Sequence, residues 1–121
     1  MSTPVGPYTP IVRAGDWLVV SGQVGLGPDG LAEGFDAQLR QALDNLAGHV
    51  EGAGARLDQI AKTTVFLVDM DDYGAMNEAY VGFFDDRAGG HRPARSAVAV
   101  AALPISAVVE IEAWVHAPEA G

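Results

Sequence analysis

Residues Val108 to Val115 constrain the fold more than any other stretch of the chain, because from Val109 onward apolar and other residues alternate there without a break. Successive side chains of a strand point to opposite faces, so Val109, Ile111, Ala113 and Val115 lie on one side and Glu110, Glu112 and Trp114 on the other. One face is therefore core, and the other carries two carboxylates. Just upstream, Ala97 to Leu103 is a second β-prone run, with Val98 and Val100 set against Ala97, Ala99 and Ala101. Neither of its faces is polar enough to sit comfortably in water. The two runs meet around Pro104, which predicts that they pair as a hairpin. Pro93 forces an extended entry into the first run, so Arg95 arrives at the mouth of a strand between small Ala94 and Ser96.

The rest of the chain supplies what packs on these strands. Ile11 to Ala14 and Trp17 to Val20 are short β-prone runs around Gly15-Asp16, a hairpin signal. Ser21 to Gly34 carries turn residues at Gly22, Gly25, Gly27, Pro28-Asp29-Gly30 and Gly34, and reads as loop with room for one short strand. From Phe35 to Ala53, Leu39, Leu43, Leu46 and Val50 recur at helical spacing, with Gly52 and Gly54 as the stop. Ile60 to Val68 is β-branched and bounded by turn residues, hence a strand. A second helix follows, capped by Asp71 or Asp72, with Tyr73, Met76, Tyr80 and Phe83 or Phe84 as its apolar stripe and Gly89-Gly90 at its end. This order of elements describes one α+β domain over residues 1–121, with two helices on one face of a mixed sheet. The second face lacks a cover, which predicts burial between subunits of a closed cyclic oligomer.

Composition narrows the function classes. A chain of 121 residues, 49% of them apolar, is the size of one ordinary domain. Seven basic against sixteen acidic residues give a net charge of −9, which repels phosphate backbones and argues against a nucleic-acid partner. With no cysteine there is no disulfide, thiol nucleophile or thiolate metal site. Met1 to Pro4 lacks the charged and apolar regions of a secretion signal, and the greasy stretch from Ala97 to Val109 is interrupted by Pro104 and Ser106. A cytoplasmic protein without a membrane partner is the expectation.

The candidates for chemistry are few. An arginine such as Arg95, with its backbone fixed and small neighbours on either side, can take a carboxylate in two parallel hydrogen bonds. Glu110 and Glu112 share a face, and either can polarise a water if that face is buried, the other then being a solvated residue or an interface partner. Asn77 lies one helical turn from both Tyr73 and Tyr80 and reads as a buried amide bonded to backbone. Gly22, Gly25, Gly27 and Gly30 are turn glycines, because no helix opens directly after them and no Gly-Lys-Ser/Thr exists. His49, His91 and His116 have no metal-ligand spacing, so no metal is expected.

Several blocks together resemble the RidA (YjgF-type) family of enamine/imine deaminases. They are Gly6-Pro7-Tyr8, Val20-Ser21-Gly22-Gln23, Gln41-Ala42-Leu43-Asp44-Asn45-Leu46, Lys62-Thr63-Thr64-Val65-Phe66-Leu67, Met76-Asn77-Glu78-Ala79-Tyr80, Pro93-Ala94-Arg95-Ser96 and Val109-Glu110-Ile111-Glu112-Ala113, in family order. The resemblance implies a chorismate-mutase-like fold and a homotrimer, its sheets forming a central barrel and its sites lying between subunits. It implies hydrolysis of 2-enamino and 2-imino acids to 2-oxo acids and ammonia without a cofactor. It makes Arg95 the anchor for the substrate carboxylate and favours Glu110 over Glu112 as the residue that orients the attacking water. Tyr8, Ser21, Gly22 and Asn77 are the matching pocket positions, and Ala97, where many members have cysteine, can still offer a backbone N–H.

Arg92, Ala102 and Pro10 also depart from the pattern and bear on substrate size and charge more than on reaction type. Two other functions fit such a chain. One is endoribonuclease, a label some relatives carry, although this sequence has no histidine pair or Lys/Arg cluster. The other is a non-catalytic trimer that binds small carboxylates through the Arg95 pocket.

Overall fold

The computed structural model describes residues 6–119. Its five-stranded sheet has the order β1-β2-β7-β5-β6, with β1 at Ile11–Ala14, β2 at Trp17–Val24, β5 at Ile60–Leu67, β6 at Ala94–Ala99 and β7 at Val109–His116. A two-stranded ribbon, β3 (Leu26–Gly27) and β4 (Gly30–Leu31), follows β2. Helices α1 (Phe35–Gly52) and α2 (Tyr73–Arg87) both pack on one face of the sheet. The α+β class and the one-sided helical layer are as the sequence predicts.

Alternation builds the core. Val109, Ile111, Ala113 and Val115 are each fully buried, and Leu18, Val20, Val65 and Leu67 join them from the neighbouring strands. The α1 stripe of Leu39, Leu43, Leu46 and Val50 closes over this face, with small Ala42 and Ala47 letting the helix come close. At the start of α1 the approach is closer still. A Cβ on Gly25 would lie 2.5 Å from the Gln38 Cα, so this turn glycine is also a packing glycine. Helix α2 buries a thinner line of Met76, Tyr80 and Phe84, four residues apart, and Phe84 rather than Phe83 enters the core.

Three expectations are corrected. The runs on either side of Pro104 do not pair with each other. Strand β6 lies parallel to β5, Arg95 opposite Thr63 and Ala97 opposite Val65, while β7 runs antiparallel between β5 and β2. Parallel neighbours need a long crossover, and α2 provides it between β5 and β6. The turn at Pro104–Ser106 then has to carry the chain past β5 instead of folding it back. Ile105 and Ser106 adopt left-handed backbone with φ 54° and 61°, conformations that cost about 1–3 kcal/mol outside glycine.

Strand β2 also does not stop at Val20. Ser21 and Gly22 form an irregularity inside it, after which pairing with β7 resumes at Gln23 opposite Ile111. Finally, neither Asp71 nor Asp72 caps through its side chain. Asp69 does so instead, accepting from the Asp71 N–H at 2.9 Å ahead of the single turn Met70–Asp72 that leads into α2.

The face away from the helices carries Val12, Val19, Phe66, Val98, Trp17 and Trp114, several of them well exposed. The Trp17 and Trp114 rings meet edge to face at 6.4 Å. No helix among the described residues is long and apolar enough to cross a membrane.

Candidate active site

Glu110 lies at the centre of the open face, on β7 between Val24 of β2 and Phe66 of β5. It lines a cleft of about 360 Å³ with Tyr8, Ser21, Gly22, Val24, Pro104 and Glu112. Four positions singled out from the sequence are thus brought together: Tyr8, Ser21, Gly22 and Glu110. Glu112 joins the same cleft, whereas sequence reasoning left only one of the two carboxylates for it. Val24 and Pro104 were missed, being apolar residues without a chemical signature.

Local structure explains how the cleft is kept. The interruption in β2 puts Gly22 against the Glu110 side chain, where a Cβ would fall 2.6 Å from the Glu110 Cδ and 2.7 Å from its Oε1. Any other residue would push the carboxylate away. The Ser21 hydroxyl donates to the Thr9 carbonyl at 2.7 Å, and the Ser21 N–H bonds the Pro10 carbonyl at 2.8 Å. These two bonds pin the segment that carries Tyr8. The Ser21 oxygen keeps its lone pairs for a ligand, but its proton is committed. Burial pushes the Glu110 carboxyl above the ordinary carboxylate range, and the nearby charge of Glu112 pushes it further in the same direction.

Arg95 stands elsewhere. Its partner in register, Thr63, is fully buried beneath the helices, so the Arg95 side chain leaves the sheet on the helical side, opposite to Glu110. There its guanidinium lies 5.6 Å from the Tyr73 ring and 5.1 Å from the Tyr80 ring, donates to the Tyr73 hydroxyl at 3.1 Å and approaches the Met76 sulfur at 3.5 Å. Among the described residues it forms no ion pair. Tyr80 is locked below it, its hydroxyl 2.7 Å from the Thr63 Oγ1. Burial raises the Tyr80 pKa, against the opposing pull of Thr63 and Arg95, so the ring stays neutral.

Two more pocket positions fall on this side. Asn77 follows Met76 on α2 and is half-buried, not the fully buried amide the sequence suggested. Ala97 lies on β6, and just past the end of that strand the Val100 N–H reaches the Leu67 carbonyl at 2.8 Å. N–H directions alternate along a strand, so that of Ala97 faces the sheet edge, where no described strand lies. Arg92, by contrast, is occupied: it pairs with Asp85 at 2.7 Å and donates to the Gly90 and His91 carbonyls, bracing the loop between α2 and β6.

The histidines are spread out. His49 is buried in α1 and its pKa lowered by that burial, and the His91 Nε2 lies 2.7 Å from the Ile60 carbonyl. Among the described residues no group of three or more His, Asp or Glu side chains is arranged to hold a metal ion.

The fold and these two half-sites define a small α+β domain whose polar groups are divided between opposite faces of one sheet. A family model described as Endoribonuclease L-PSP matches residues 1–117, and the chain belongs to that family, the RidA/YjgF family. A 2-iminobutanoate/2-iminopropanoate deaminase of Salmonella typhimurium is 41% identical over 111 residues, covering 90% of this chain and 86% of that protein. The Mus musculus protein of the same name is 42% identical over 112 residues, covering 90% and 80%. Among solved structures, that of the Escherichia coli YjgF gene product superposes with a TM-score of 0.88 at 39% identity, over 93% of this chain and 90% of that one. The Escherichia coli TdcF structure with bound serine does so with a TM-score of 0.86 at 36% identity, over the same 93% and 90% shares.

Proposed function

We propose that this protein hydrolyses 2-imino acids, and the enamines from which they form, to 2-oxo acids and ammonia, in sites assembled between the subunits of a homotrimer. The observation that carries this reading is the division of the pocket: a cation that has no ion-pair partner among the described residues on the helical side and a desolvated carboxylate on the open side of the same sheet. One chain cannot bring them to one ligand; two neighbouring copies can, with Arg95, Ala97 and Asn77 from one and Tyr8, Ser21, Gly22 and Glu110 from the next. The exposed apolar residues of the open face supply a reason for the copies to associate. Relatives at about two-fifths identity named for this deamination support the choice of substrate.

The chemistry asks little beyond placement. The substrate carboxylate lies on the Arg95 guanidinium and the Ala97 N–H, which fixes the iminium carbon. That carbon is already electrophilic. Glu110 accepts a proton as water adds to it, giving a tetrahedral carbinolamine, and returns the proton to the nitrogen. Collapse breaks the C–N bond and forms the carbonyl, the hydroxyl proton passing to Glu110 and from it to the departing ammonia, so one water and one iminium give one 2-oxo acid and one ammonium ion. Glu110 must be ionised to act, and its raised pKa makes it a stronger base than an ordinary surface carboxylate.

The test is a coupled assay in which an amino-acid oxidase or threonine dehydratase generates the imine and 2-oxo acid release is followed with and without the protein. Acceleration that disappears in Glu110→Gln supports the reading; no acceleration by wild type overturns it. The bound serine of the TdcF structure favours a second reading, a trimer that holds small carboxylates without turnover. Ligand binding by wild type with no hydrolysis would establish that reading instead. The family description is met by a parallel assay on RNA, where the net charge of −9 argues for no cleavage.

A further inference from the structure

Tyr73 and Tyr80 flank Arg95 but are built for different tasks. The Tyr80 hydroxyl is spent in the core, 2.7 Å from the Thr63 Oγ1, and its ring is 3% exposed. Tyr73 stands at the first position of α2 and is 40% exposed. Its oxygen accepts from the Arg95 Nη2 at 3.1 Å, and among the described residues nothing accepts its proton. A phenol that accepts a hydrogen bond from a guanidinium is polarised toward donating its own proton, because hydrogen bonds in a chain strengthen one another. That proton lies beside a cation that forms no ion pair among the described residues.

We propose that the Tyr73 hydroxyl is a substrate-binding group, a donor to the ligand carboxylate that completes the set begun by Arg95. This rests on the anchoring role of Arg95 proposed above. The donor count supports it. The Nη2 has a second N–H besides the one given to Tyr73, and a carboxylate offers about four lone-pair positions, more than one guanidinium edge fills. The Arg95 Nη2 and the Tyr73 oxygen are 3.1 Å apart, close enough for one ligand oxygen to sit at hydrogen-bond distance from both. The Nη1 meets only the Met76 sulfur, a weak acceptor that does not compete with a carboxylate. The site thus favours ligands with a full anionic carboxylate, which satisfies Arg95 and Tyr73 together.

Calorimetric binding of 2-oxobutanoate tests this without depending on turnover. Tyr73→Phe keeps the ring over Arg95 and removes the hydroxyl; the expected result is about tenfold weaker binding, with KM for the imine rising similarly and kcat unchanged. Replacing Tyr73 with 3,5-difluorotyrosine separates donation from simple positioning. While un-ionised, the fluorinated phenol is a stronger donor and a weaker acceptor than that of tyrosine, so affinity for 2-oxobutanoate equal to or above wild type upholds the proposal. Unchanged binding by Tyr73→Phe overturns it, as does a fluorinated protein that binds as weakly as Tyr73→Phe. If wild type binds 2-oxobutanoate but hydrolyses nothing, the deaminase reading fails while Tyr73 is still judged by these same binding results. If wild type does not bind the oxo acid at all, the Tyr73 proposal falls, while the deaminase reading stands or falls on the coupled assay.

Discussion

The Arg95 half and the Glu110 half of the candidate site are held on opposite electrostatic terms. Around Arg95 the surroundings are two tyrosine rings, a phenol oxygen and a thioether, all of which steady a guanidinium without neutralising it. Around Glu110 the surroundings oppose the charge, because burial and Glu112 both favour the protonated acid. The cation is placed at ease and the anion is placed under stress. On the proposed assembly, such a pair would select a ligand that is itself divided, anionic at the end that meets the arginine and cationic at the end that meets the carboxylates. An iminium acid has that polarity, and each of its ends relieves or satisfies one half.

The hardest blow to this contrast comes from the cation. Arg95→Ala is expected to lower kcat/KM for imine hydrolysis by at least about 10²-fold, and Arg95→Lys to recover little, because an ammonium lacks the planar fork. Both variants should fold normally; wild-type activity in either removes the anchor. On the other side, Glu110→Gln is expected to lower kcat by about 10²-fold with oxo-acid binding largely kept. It should also raise Tm near neutral pH. The folded-state pKa of Glu110 is raised, so its ionisation opposes folding above that pKa, and the effect vanishes in acid once the group is protonated in both states. A variant both slower and less stable would contradict the account of the stressed anion.

Gly22→Ala sharpens the contrast locally. The added methyl has to displace the Glu110 carboxylate, so kcat should fall by about tenfold while Arg95-dependent binding is retained. The smallest effect is expected from Glu112→Gln. Activity needs ionised Glu110, so the rate falls as pH drops through its raised pKa, and removing the like charge moves that acid limb to lower pH. Burial is the larger cause of the shift, so only part of the displacement should be lost. A limb that stays in place would mean that Glu112 does not act on Glu110.

Periodicity made much of this legible. The β7 alternation and the α1 stripe fixed which residues enter the core, and the structure buries those residues. What periodicity does not encode is the identity of a strand's neighbour. Adjacency in sequence suggested that β6 and β7 pair, whereas the crossover through α2 decides where β6 lies. Ser21-Gly22 carried the signature of a turn, and a turn and a strand irregularity ask for the same small, permissive residues. Of the cleft residues, Glu110 and Glu112 were read from the β7 alternation and Tyr8, Ser21 and Gly22 from the family resemblance, while Val24 and Pro104 had no signal. Tyr73 was misread for a physical reason: at helical spacing an aromatic looks like core, and only its place at the exposed start of α2 turns its hydroxyl toward Arg95.

The central position of β7 also bears on how the molecule comes into being. The strand that carries Glu110 is the last in the described chain, yet it lies between β2 and β5, and Trp17 is opposite His116. While the polypeptide is being made, β2 and β5 have no common neighbour until residue 109 is reached, which lies 85 residues beyond the end of β2 at Val24 and 42 beyond the end of β5 at Leu67. A chain released between residues 99 and 109 would keep both helices' sequences and Arg95 but only two separate strand pairs, β1-β2 and β5-β6, with no strand to join them. Sheet closure is therefore slow and non-local, and it coincides with the arrival of the carboxylate. Incomplete chains cannot present a functional pocket, and their unsheltered strand edges make them ready targets for chaperones and proteases.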